Sequence, residues 1–81
     1  MTQNPLLDAV ALLRARDWEG AHVIAQDSEA PLASWAHGIV HLIEGDEPNA
    51  RYWYRHAARE FPGMDAIDAE IEKLQSALGT R

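Results

Sequence analysis

The chain contains no cysteine, which removes disulfides and thiolate metal sites and leaves the redox compartment open. Long apolar runs are missing too. No stretch approaches the roughly 18 residues a membrane-spanning helix needs, and no basic start leading into an apolar segment is seen. Bases are scarce: 7 Lys and Arg face 13 Asp and Glu, for a formal net charge of −6. The acids are scattered and there is no basic stripe, so nucleic acid and anionic membranes are disfavoured as partners. The 5 glycines form no phosphate-cradling loop. Ser28, Ser34 and Ser76 are the only serines, and none sits in a nucleophile elbow. Ser34 lies one turn before His37, but a helical chain of 81 residues has little room to exclude water from a substrate. The expectation is a soluble, cytoplasmic protein without catalysis and without a cofactor.

What is present is apolar and helical. A hydrophobic content of 47% argues against disorder. At this length the chain is one domain, residues 1–81, with about 3–5 kcal/mol of net stability. The segment Asp46 to Ala58, DEPNARYWYRHAA, organises the rest: Ala50, Trp53, Tyr54, Ala57 and Ala58 fall at the spacing of one helix face. Small residues there let a second helix approach, and Trp53 and Tyr54 bring the apolar area.

The spacing predicts five helices. Asn4 and Pro5 open the first, run to about Ala15, with Leu6, Ala9, Val10 and Leu13 inward. Asp17 caps the second, Trp18 to about Gln26, and the short connection makes a hairpin over 5–27. Pro31 opens the third, which buries Trp35, Ile39 and Val40 and ends at Gly45. Asp46 caps the fourth, drawn to about Glu60 and completing a hairpin over 31–60. A last helix over 65–78 carries Ile67, Ile71, Leu74 and Leu78 on a narrow stripe, suited to packing back as a cap or to joining two copies as a homodimer. Sliding the chain by 29 residues sets Leu6 on Trp35, Val10 on Ile39, Asp17 on Asp46 and Ala21 on Ala50. The fold class is therefore all-α: two tandem antiparallel hairpins and a capping helix.

Gly45 and Asp46 followed by Ala50, Trp53, Tyr54, Ala57 and Ala58 resemble the second helix of Sel-type repeats, relatives of the tetratricopeptide repeat. The pattern of Trp18, Ala21 and His22, then Trp35, His37 and His41, then EGDEPNARYWY, is also similar to small bacterial proteins. The repeat resemblance implies a scaffold that binds a peptide or protein segment in a groove lined by the first helix of each pair, with the last helix covering the exposed edge.

Two sets of residues are candidates for function. His37, His41 and Glu44 lie at i, i+4 and i+7 on the third helix, and His22 joins them if the hairpins pack side by side. Such a set can hold zinc or nickel; the alternative is a row of polar groove residues or interhelical hydrogen bonders. His56 is a more distant candidate. The second set is a partner surface comprising His37, His41, Tyr52, Arg51 and Arg55, the arginines belonging to a basic ridge that continues to Arg59. A protein-interaction module is thus the first expectation, and a histidine metal site the alternative.

Overall fold

The computed structural model describes residues 4–79, and the termini of the expected domain, residues 1–3 and 80–81, lie outside them. The described residues form five helices and no strand: α1 (Pro5–Arg14), α2 (Trp18–Ala25), α3 (Pro31–Glu44), α4 (Glu47–His56) and α5 (Ile67–Leu78). None is long and apolar enough to cross a membrane.

Asp17 and Asp46 shape the two hairpin turns in the same way. In the first, the amides of Arg16 and Asp17 donate back to the carbonyls of Leu13 and Leu12 at 3.0 and 2.8 Å. In the second, Gly45 and Asp46 donate to Leu42 and His41 at 3.2 and 3.0 Å. This paired cap needs a left-handed residue, supplied by Arg16 at φ 64° and Gly45 at φ 84°. Each aspartate then accepts from the third residue of the next helix, Gly20 at 3.0 Å and Asn49 at 3.3 Å. One residue closes a helix and starts the next, so the pairs α1/α2 and α3/α4 fold back antiparallel.

All four other helices pack against α3. That contact on every side explains why each residue from Ala33 to Leu42 is buried, polar ones included. The last helix packs back on the two hairpins: α5 lies on α1 and α3, with Ile71 and Leu74 in the core. Exposed pairs tie it to α1 and the turn after it, Arg14 to Glu72 at 2.8 Å and Arg16 to Asp68 at 2.6 Å. Pairs so exposed add little stability.

Helix α4 stops at His56, short of the expected Glu60. Ala58 turns left-handed at φ 61°, and Ala58 and Arg59 donate to the carbonyls of Arg55 and Tyr54, both at 2.9 Å. An alanine in this conformation costs about 1–2 kcal/mol, and no glycine marks the stop. The start of α5 shifts from 65 to Ile67. The dry side of α4 is also narrower than its spacing predicts. Ala50, Tyr54 and Ala57 are buried, Trp53 is half-buried and Ala58 is exposed.

Two contacts join α4 and α5 to the centre. Tyr54 lies flat against the α3 backbone at Gly38, where an added Cβ would sit 2.6 and 2.7 Å from its ring carbons Cδ1 and Cε1. Its hydroxyl donates to Glu70 Oε1 at 2.8 Å, and Trp35 Nε1 donates to the same oxygen at 3.0 Å. Lys73 lies 3.6 Å from the other carboxylate oxygen. Glu70 is 4% exposed, so these donors compensate its burial. Burial first, and then Glu70, push the Tyr54 hydroxyl's pKa far above its usual range.

Candidate metal centre

His37 and His41 lie one helical turn apart, which puts both on one side of α3. The neighbour on that side is α2, and it brings His22. The His22 ring meets His37 edge-on at 4.6 Å between centroids and His41 at 5.8 Å, while His37 and His41 stack at 5.2 Å. Each imidazole offers a nitrogen, and the three nitrogens lie within 4.8 Å of one another. Bonds of about 2.0–2.1 Å to one tetrahedral ion require nitrogens roughly 3.3 Å apart, a closure of at most about 1.5 Å.

The surroundings fit the three rings for this task. His37 is 5% exposed, and its Nδ1 is buried with no hydrogen-bond partner. An orphaned buried nitrogen costs free energy unless something binds it. Burial, then the neighbouring His22, His41 and His56, lower the His37 pKa to about 4, so at neutral pH the ring is uncharged with a lone pair to give. Trp53 covers its outer face, stacked at 3.8 Å and 9° between planes.

Glu44 has a different place from the one its spacing predicts. Its Oε1 lies 2.8 Å from His41 Nδ1, and it is not part of the three-nitrogen set. A carboxylate only accepts, so this contact puts the proton on Nδ1 and leaves Nε2 free to coordinate. Glu44 therefore holds the His41 ring through Nδ1. It forms a second close group with His41 and Asp46, but the Asp46 carboxylate is engaged by the backbone and side chain of Asn49 at 3.3 and 2.7 Å. Those bonds, the side-chain one first, hold Asp46 below its usual pKa.

His56 stays apart from the cluster. Its Nδ1 is 3.1 Å from Ser34 Oγ, and its Nε2 is 3.9 Å from Glu29. Ser34 is thus paired with His56, not with His37 one turn on, and it is fully buried.

The expected partner surface is divided. His37 and His41 are buried at 5% and 8% exposure and do not line an open groove. Tyr52 remains 48% exposed. The basic ridge is broken up because α4 ends early: Arg51 pairs with Glu47 at 2.8 Å and lies over Phe61, whereas Arg59 leaves the helix and stacks 3.5 Å above the Trp35 ring. Arg55 remains exposed.

Gly38 and Glu70 escaped the sequence reading, yet each had a signal. Gly38 interrupts the most apolar helix, and Glu70 stands between Ile67 and Leu74 on the same stripe. A glycine or lone acid at such a position implies a close neighbour or a buried partner. Compared with protein-family models, with curated proteins and with solved structures, the chain finds no match.

Proposed function

We propose that this protein binds one divalent transition-metal ion between α2 and α3 through His22, His37 and His41. The observation that supports it is the convergence of three imidazole nitrogens within 4.8 Å of one another. The orphaned Nδ1 of His37 and the carboxylate behind His41 add to it. Imidazole suits zinc, copper and nickel, while thiolate-dependent preferences are ruled out by composition. His22 belongs to the first hairpin and the other two to the second, so a bound ion would staple the hairpins together. Each ligand must present a lone pair, and His37 does so without losing a proton at neutral pH. Calorimetric titration of metal-free protein with zinc tests the reading. One saturable site is expected, with the affinity reduced at least tenfold in His41→Ala; absence of saturable binding, or equal affinity in the variant, overturns it.

A second reading is a module that binds a peptide or protein segment. With α5 resting on α1 and α3, the surface that favours this reading is the outer face of α4, where Tyr52 is one of two large hydrophobic residues left exposed among the described residues and Arg55 stands one turn from Arg51. A Tyr52→Ala, Arg55→Ala variant that captures the same proteins as wild type would remove it.

A further inference from the structure

The three histidines supply only part of a coordination shell, and the neighbouring side chains are engaged elsewhere. Glu44 is hydrogen-bonded to the back of His41. Asp46 caps α4 and accepts from Asn49. His56 is paired with Ser34. Among the described residues, no further His, Cys, Asp or Glu joins the three nitrogens within 4.8 Å. His22 comes from α2 and the other two donors from α3, so three donors reach an ion held between the helices. Three neutral imidazoles bring no charge, so the ligands themselves do not neutralise the ion. His22 is only half-buried, which leaves the cluster an edge that solvent reaches.

We infer that the ion held by His22, His37 and His41 keeps an exchangeable coordination position and takes a small anion there. The inference rests on the metal-binding reading and adds to it the ligand class of the site. Structural zinc sites are closed by four protein ligands, whereas sites with three keep a place for water or an incoming ligand. Here the third imidazole is the last His, Cys, Asp or Glu the fold brings into the set, and a charge not neutralised by the ligands themselves favours an anion over a neutral molecule.

The test uses the full chain loaded with one equivalent of cobalt(II), whose visible spectrum reports its coordination, titrated with sodium azide. A saturable spectral change with one azide per cobalt is expected, reversed on dialysis. An azide-independent spectrum on a bound cobalt ion overturns the inference while leaving the metal site standing. So does a response seen only in Glu44→Ala or Asp46→Asn, because a side chain would then fill the position. Failure of cobalt, zinc and nickel to bind at all overturns the inference together with the metal-binding reading.

Discussion

Replacing Gly38 by alanine sets two known effects against each other, and the packing of Tyr54 decides between them. In an isolated helix the change is favourable by about 1 kcal/mol, because glycine is a poor helix former. Here the new Cβ would lie 2.6 and 2.7 Å from two carbons of the Tyr54 ring, whereas carbon atoms pack at about 3.5–4.0 Å. The ring would have to retreat by roughly 1 Å. It is fully buried, and its hydroxyl is held by Glu70 at 2.8 Å, so retreat strains the core and stretches that bond. Overpacking costs about 1–3 kcal/mol, and a weakened buried hydrogen bond adds about 0.5–1.5 kcal/mol. After the helix gain of about 1 kcal/mol is subtracted, a net loss of about 0.5–3.5 kcal/mol remains. For a domain with about 3–5 kcal/mol in hand, that is a large share. Urea unfolding followed by far-ultraviolet circular dichroism, with a chelator present in every sample, measures it. Adding Tyr54→Leu should recover part of the loss, giving a double-mutant coupling of at least about 0.5 kcal/mol. A Gly38→Ala protein as stable as wild type, or more stable, would refute the wedge between α3 and α4.

The buried carboxylate and the buried imidazole give two further predictions. Glu70→Leu leaves Trp35 Nε1 and the Tyr54 hydroxyl without their acceptor; at about 1–3 kcal/mol each the protein should lose most of its near-ultraviolet dichroism, whereas Glu70→Gln retains an acceptor and should lose less. His37 titrates at about 4 in the fold against 6.5 ordinarily. Its contribution is therefore complete above pH 6.5 and is lost as the pH falls towards 4, up to about 3 kcal/mol. Urea midpoints of metal-free protein should fall between pH 7 and pH 5, and the slope should flatten in His37→Asn; an equal slope in that variant would refute the assignment.

The parts of the fold visible in the sequence were those fixed by local chemistry. Asn4 and Pro5, Pro31 and Gly45 carry their own start and stop signals, and the bounds of α3 agree with them. Local signals fail where a distant residue decides. Ala58 accepts a left-handed backbone that its type does not announce, so α4 runs too long when read from periodicity alone. Gly38 and Glu70 make sense only once Tyr54 and Trp35 are seen lying against them. The three histidines fell in between. Spacing along α3 paired His37 with His41, but bringing in His22 required the contact between α2 and α3. The same spacing gave Glu44 as a ligand, because it cannot tell an oxygen facing the cluster from one facing the back of the His41 ring.

Proton–nitrogen correlation spectra of the imidazole side chains, recorded with and without one equivalent of zinc, test the convergence of the histidines most directly. The resonances of His22, His37 and His41 should move together as one site fills, with Nδ1 of His41 keeping its proton and His56 unmoved. Spectra in which zinc shifts none of the three, or only one of them, would contradict a shared site.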